Sequence, residues 1–130
     1  MSGTITQSHS KLGKVGVITF TCTADAADGS FPQTNITDAI EGELLQLETN
    51  PGATAPTANY DIVLNDDQGA DVLMGVGANR HTSTTEIAGI VFSGTSYHPY
   101  VDKTQTLTLV ITNNSVNSAG IVVKLYYRKL

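Results

Sequence analysis

Hydrophobic and polar residues alternate along most of the chain. Between Val15 and Ala24, the apolar residues Ile18, Phe20 and Cys22 fall on one face, and threonines fall on the other. Because successive side chains of a strand point to opposite faces of a sheet, this alternation predicts a strand buried on one side. The same pattern predicts strands at residues 43–49, 60–65, 87–92, 104–112 and 120–127.

Residues that favour turns separate these segments. In the strand at 43–49, Leu45 and Leu47 are predicted to share a face. Asn50-Pro51-Gly52 then predicts a type II turn, because proline fixes φ and glycine supplies a positive φ. Asp66-Asp67-Gln68-Gly69 predicts a tight turn with Gly69 in the left-handed conformation. Two hairpins are predicted: residues 60–65 with Val72, Met74 and Val76, and residues 104–112 with 120–127.

Seven or eight short strands without a helix-period segment predict an all-β fold, an antiparallel β-sandwich or jelly roll. Thr, Val and Ile make up 38 of the 130 residues, which also favours strands. The length is that of one domain with one core, which we place at residues 15–130. Residues 1–14 are polar apart from Ile5 and Leu12, and they predict an extended N-terminal arm.

The charged residues are unevenly distributed. Five of the seven basic residues lie near the two ends of the sequence: Lys11, Lys14, Lys124, Arg128 and Lys129. Residues 15–123 contain only Arg80 and Lys103 against all twelve acidic residues. If the two ends are neighbouring strands, they form a positive patch, which either balances charge at solvated ends or docks onto an acidic partner surface. The net charge of −5 argues against a nucleic-acid partner.

Tyr97-His98-Pro99-Tyr100 is the aromatic cluster that the sequence predicts to be most exposed. Three interpretations remain open for it: ordinary loop packing, a protein interface, or a carbohydrate site in which the rings stack on sugars. The absence of tryptophan lowers the case for carbohydrate.

Candidate catalytic and metal-binding patterns are weak. The one cysteine, Cys22, lies on the apolar side of its predicted strand, and His9, His81 and His98 share no ligand spacing. The acidic run at 65–71 lacks the spacing of a calcium-binding EF-hand loop, and we interpret it as a solvated turn. Without a nucleophile elbow, a dinucleotide loop or a Walker sequence, we predict a protein that is not an enzyme and that has no cofactor or metal.

Hydropathy predicts no membrane segment. No apolar run approaches the roughly 18 residues that a membrane helix needs, and the first dozen residues are polar. The expectation is a soluble protein made in a reducing cytosol.

The segment from Tyr60 to Gly75 (YDIVLNDDQGADVLMG), preceded by Asn50-Pro51-Gly52 and Pro56-Thr57, resembles a pattern of small structural proteins of tailed bacteriophage virions. The order is a strand, a PG turn, a PT loop, a YDI-type hairpin and a final hairpin rich in Leu and Val. The resemblance spans about residues 15–127.

This resemblance implies a virion component without catalytic residues, made in the host cytoplasm. The interpretation we favour is a capsid decoration (cement) protein on the capsid surface, which binds the major capsid protein and forms a homotrimer, as such families often do. The basic ends, with Lys11, Lys14, Lys124, Arg128 and Lys129, are then expected to face the shell. The alternatives are a tail, baseplate or fibre protein, and a carbohydrate-binding module that uses Tyr97 and Tyr100.

Overall fold

The computed structural model describes residues 2–129, which form nine strands and no helix. The strands are β1 (Thr4–Leu12), β2 (Val15–Thr23), β3 (Thr34–Asn35), β4 (Gly42–Pro51), β5 (Asp61–Asn65), β6 (Glu86–Gly89), β7 (Tyr100–Val101), β8 (Thr108–Thr112) and β9 (Gly120–Arg128). The six-stranded sheet has the order β1-β2-β9-β4-β6, with β7 also paired to β4, and the three-stranded sheet has the order β3-β8-β5. All of these pairings are antiparallel.

The predicted all-β class is confirmed, with two antiparallel sheets. The predicted strands at 15–24, 43–49, 60–65 and 120–127 correspond to β2, β4, β5 and β9, whereas those at 87–92 and 104–112 shorten to β6 and β8. No helix of residues 2–129 is long and apolar enough to cross a membrane.

One core of buried apolar side chains receives residues from both sheets. The alternation seen in the sequence decides which residues enter it, since every second residue of β2 and of β9 is buried. The three-stranded sheet contributes Ile62, Leu64, Leu109 and Ile111. Each fully buried side chain of this kind contributes about 1.5–3 kcal/mol, so the shared core is the main attraction between the sheets.

The last two long strands do not form the predicted hairpin. β8 pairs with β3 and β5, whereas β9 pairs with β2 and β4 in the other sheet. Alternation gives a strand one apolar face but does not identify its neighbour. Because β8 and β9 bury their apolar faces in the same core from different sheets, their sequences look like those of two paired strands.

The prediction of a hairpin that begins with β5 is wrong for its second strand. The turn at Asp66–Gly69 forms, with a φ of 85° at Gly69, but residues 71–77 follow as a bridge and consecutive turns instead of a strand. The cause is the Asp71 carboxylate, which replaces part of the ladder that a second strand would form. It accepts hydrogen bonds from the backbone N–H groups of Leu64, Leu73 and Gly75.

A β-bulge in β4 overturns the predicted face of this strand. The register shifts between Leu44 and Gln46, so Leu44 and Leu47 are both buried, while Leu45 is only half-buried. An extra residue on one strand reverses the alternation beyond it. The prediction that Leu45 and Leu47 share a face is therefore wrong.

The type II turn predicted at Asn50-Pro51-Gly52 does not form. Pro51 still pairs with Ile121 of β9, and the Gly52 N–H donates a hydrogen bond of 2.7 Å to the Gly120 carbonyl. Gly52 does not have a positive φ. The neighbouring strand β9 is long enough to extend the ladder through this sequence, and its hydrogen bonds override the local preference for a turn.

The segment predicted as an arm lies along the sheet. Residues 4–12 form β1 at its edge, paired with β2 in an unbroken register from Thr4 opposite Thr23 to Leu12 opposite Val15. Gly13 and Lys14 form the two-residue turn between them, and Gly13 has a φ of 62°. A glycine at the first central position is typical of type II′ turns, which match the twist of two paired strands.

Alkaline pH is expected to destabilise the fold through Cys22. Burial raises the pKa of the Cys22 thiol from 9.0 to about 12. Between those pH values the unfolded chain loses this proton and the folded chain keeps it, so the unfolding free energy falls as the pH rises above 9. The expected slope is up to about 1.4 kcal/mol per pH unit, measured by equilibrium urea unfolding.

The control is Cys22→Ala, in which the slope between about pH 9 and 10 should be clearly shallower than in the wild type. Burial also raises the pKa of Tyr60, from 10.0 to about 12, and the pKa of Tyr127, and these hydroxyls contribute to the slopes of both proteins. Equal slopes in the two proteins between about pH 9 and 10 would show that the thiol does not titrate as its burial requires.

Candidate docking surface

The turn between β1 and β2 meets the last residues of the chain at one end of the six-stranded sheet. The Lys129 N–H donates a hydrogen bond of 2.7 Å to the Lys14 carbonyl, beside the turn between β1 and β2. Opposite residues of antiparallel strands share a face, so the registers align one residue from each of five strands. This outer row consists of Leu12, Val15, Arg128, Glu43 and Tyr100.

The outer row exposes large apolar side chains beside one ion pair. Leu12 is 86% exposed, Val15 41% and Tyr100 52%. Between Val15 and Tyr100, the Arg128 guanidinium lies 2.5 Å from the Glu43 carboxylate. Such a pair on the surface contributes at most about 1 kcal/mol, but it neutralises Arg128. Exposed apolar side chains around a polar pair form a surface suited to contact with another protein.

A basic cleft lies beside the outer row at the same end of the sheet. Its volume is about 130 Å³, and its lining includes Glu41 and the ring of Tyr127. Four lysines also line it: Lys11, Lys14, Lys103 and Lys129. Within residues 2–129, none of these lysines forms an ion pair. Four ammonium groups against one carboxylate make the cleft positive, although the whole chain is acidic.

The structure brings together four of the five basic residues that the sequence predicts as a patch. Lys11, Lys14 and Lys129 line the basic cleft, and Arg128 lies in the outer row. Lys124 lies apart from them, in the middle of the outer sheet face opposite Thr19 and Glu48. Lys124 and Arg128 are four positions apart along β9, a distance of about 13 Å.

Sequence reasoning missed Lys103 as a member of this cluster. It lies in the loop between β7 and β8, and the fold brings this loop to the end of the sheet. Lys103 stands between Asp102 and Thr104, a setting typical of a solvated loop. No local signal in the sequence could have found it.

The predicted aromatic cluster is divided between two elements. Tyr97 lies in the loop before β7 and is 73% exposed, whereas Tyr100 belongs to β7 and to the outer row. His98 is half-buried, with Nδ1 2.7 Å from the Ile90 carbonyl oxygen, so its ring is tied to the loop. Of the three predicted contact residues, only Tyr100 joins the outer row.

Behind the cleft, a chain of side-chain hydrogen bonds links Asp38, His9 and Tyr127. His9 Nδ1 lies 2.9 Å from Asp38 Oδ2, and His9 Nε2 lies 2.6 Å from the Tyr127 hydroxyl. The Tyr127 ring covers Gly16, where an added Cβ would lie 2.3 Å from a ring carbon. Only glycine at this position leaves room for the ring to reach His9.

This chain joins β1, β9 and the loop between β3 and β4. Burial, and secondarily the Asp38 charge, raises the pKa of the Tyr127 hydroxyl. The sequence gave no sign of the chain, because 29 residues separate His9 from Asp38 and 118 separate it from Tyr127.

Among residues 2–129, no group of three or more His, Cys, Asp or Glu side chains is placed to hold a metal ion. Two of the three carboxylates of the acidic run, those of Asp66 and Asp71, accept local backbone hydrogen bonds. Asp66 accepts the backbone N–H groups of Gln68 and Ala70, and Asp71 accepts three others. They act as turn-forming groups.

Comparison with protein-family models, with curated proteins and with solved structures found no match to this chain.

Removing the Tyr127 hydroxyl is expected to destabilise the fold. Tyr127→Phe leaves His9 Nε2 without its partner in a partly buried place, at a cost of about 1–2 kcal/mol. Tyr126→Phe is the matched control, because Tyr126 is next on β9 and faces the outer side of the sheet. Urea unfolding should show the loss for Tyr127→Phe alone. The same loss in both variants would mean that the hydrogen bond to His9 does not contribute.

Proposed function

We propose that this protein is a non-enzymatic structural component of a tailed-phage virion, a capsid decoration protein that binds the major capsid protein on the capsid surface. In this proposal its two sheets form a β-sandwich of the jelly-roll type. The observation that carries it is the combination at one end of the sheet: an outer row with exposed apolar side chains, and a cleft lined by four lysines beside it.

The outer row has the dimensions and composition of an interface centre. It crosses five strands, so Leu12 and Tyr100 lie about 19 Å apart at the usual spacing between strands. Tyrosine and arginine are enriched at protein interfaces, and an exposed leucine beside them supplies apolar area. Contact with a partner would remove this surface from water, which is the main source of attraction.

Charge favours an acidic partner and selects the surface that docks. Outside the basic cleft the chain is acidic, with eleven acidic residues against three basic ones. An acidic shell therefore repels most of the protein surface and attracts the end that carries the lysines. Complementary charge of this kind sets orientation and association rate more than it sets affinity.

The sheet holds the backbone of the outer row and of Lys11, Lys14 and Lys129, whereas Lys103 lies in a loop. The outer row lies on paired strands, and the Lys14 end of the cleft is closed by a backbone hydrogen bond to Lys129. Little conformational entropy is lost when such a surface binds. On a shell with many equivalent sites, several linked copies hold more firmly than the affinity of one site predicts.

Charge reversal in the basic cleft tests this proposal. The triple variant Lys11→Glu, Lys14→Glu, Lys129→Glu is expected to abolish rebinding to particles stripped of this protein, at low salt. The single variant Lys129→Glu should weaken rebinding about tenfold. The matched control Lys124→Glu makes the same change of net charge outside the cleft and should rebind like the wild type. Normal rebinding of the triple variant would contradict the docking surface.

The position of the protein on the particle distinguishes a capsid decoration protein from a tail, baseplate or fibre protein. Cryo-electron microscopy of complete particles is expected to show hundreds of copies distributed over the shell. Occupancy at a single vertex, or a dozen copies or fewer, would contradict decoration and favour a tail, baseplate or fibre protein.

A further inference from the structure

β1 is a long strand with one free edge. Its nine residues pair with β2 on one side, and within residues 2–129 no backbone hydrogen bond joins β1 to any other strand. The opposite edge of the same sheet is formed by β6, with four residues, and β7, with two. β1 is therefore the more complete template for an added strand.

The hydrogen-bond pattern shows which groups of β1 point outward. The Lys129 N–H donates a hydrogen bond to the Lys14 carbonyl. In this register the backbone N–H and C=O groups of the even-numbered residues of β2 therefore point toward β9. The backbone groups of the odd-numbered residues of β2 point toward β1, where they form hydrogen bonds with the even-numbered residues opposite them. This leaves four residues with outward N–H and C=O groups: Ile5, Gln7, His9 and Lys11.

Over seven of its nine residues, β1 lacks the usual protection of an edge strand, and Lys11 is its one charged side chain besides His9 when protonated. Natural edges are commonly blunted by charged side chains, prolines, bulges or short length. The residues from Thr4 to Ser10 include no Lys, Arg, Asp, Glu or Pro, and their register with β2 has no bulge. Such a strand presents an uninterrupted row of donors and acceptors.

The free edge is also held in place from inside. Gln7 Nε2 donates a hydrogen bond of 2.8 Å to the Asn35 carbonyl, and its Oε1 accepts the Thr37 N–H at 3.1 Å. His9 is fixed in the same way by Asp38. A strand that is already extended and anchored loses little entropy when another strand pairs with it.

We propose that β1 pairs antiparallel with β1 of a second copy of this chain, with Ser8 opposite Ser8 of that copy. In this register the two strands overlap completely, with Thr4 opposite Leu12. The four outward residues pair among themselves, Ile5 with Lys11 and Gln7 with His9, so each free N–H and C=O finds a partner. The interface is closed and two-fold, because the same surface serves both copies.

Side chains support this register. On the outer face the opposite pairs are Thr6 with Ser10 and Ser8 with Ser8, and hydroxyl pairs of this kind stabilise neighbouring strands. The two Lys11 side chains stand six residues apart along the pair, about 20 Å. This exceeds the screening length of about 8 Å at physiological salt, so they do not repel each other.

This contact differs from the three-fold assembly that the resemblance to decoration proteins implies, and it does not depend on the proposed function. Sedimentation of the purified protein over a range of concentrations should show a species of twice the 13.7 kDa mass of the chain. A protein that stays monomeric at high micromolar concentration, or forms trimers, would overturn the pairing.

Cysteine substitutions test the register. Opposite residues without mutual hydrogen bonds have Cα atoms about 4.5 Å apart, within the range that a disulfide spans. Mild oxidation should therefore convert Ser8→Cys into a disulfide-linked dimer. Thr6→Cys, exposed on the same face of the same strand, stands opposite Ser10 and should remain unlinked. Linking of both variants alike, or of neither, would exclude this register.

Charged residues at the two-fold axis give a second test. Ser8→Lys places two ammonium groups opposite each other and should raise the dissociation constant of the dimer about fivefold. Mixing equal amounts of Ser8→Lys and Ser8→Glu should restore association, because the pair is then attractive. Thr21→Lys, on the same sheet face but away from the edge, is the control and should dimerise normally. Failure of the mixture to recover would overturn the proposal.

Discussion

The pairing of β9 with strands on both of its edges is the constraint on which the rest of the structure depends. β9 lies between β2 and β4 over nearly its whole length, and every second side chain of β9 enters the core. This arrangement brings the last residues of the chain beside the first hairpin and the beginning of β4. It also turns Tyr127 inward and Arg128 outward, so that adjacent residues build the cleft wall and the outer row.

The faces of the strands could be predicted from the sequence, but their neighbours could not. Alternation identified the buried residues of β2, such as Ile18 and Phe20, because burial depends only on which side of the strand a residue occupies. It failed for Leu45, where a single bulge residue reverses the faces. Which strands pair depends on how all the strands cover one core together. The sequence pattern of a single strand therefore does not identify its partners.

Local turn signals were reliable only where no longer-range hydrogen bond opposed them. Gly69 adopts the predicted left-handed conformation in a solvated loop. At Gly52 the neighbouring strand offers a carbonyl acceptor, and the chain continues into the ladder instead of turning. For the candidate docking surface, the sequence predicted a positive patch only on the condition that the two basic stretches are neighbouring strands. Lys103 and the bond between His9 and Tyr127 depend on contacts between distant segments, which no local pattern indicates.

The space above Gly16 has a wider consequence. Because Gly16 has no side chain, the ring of Tyr127 occupies this space and is both part of the core and part of the cleft lining. Its hydroxyl also holds β1 in place through the hydrogen bond with His9. A group that enters the cleft therefore touches a ring that is mechanically connected to the free edge of the sheet. If occupation of the cleft changes the affinity of this edge for another strand, pairing at the edge must change the affinity of the cleft by the same factor.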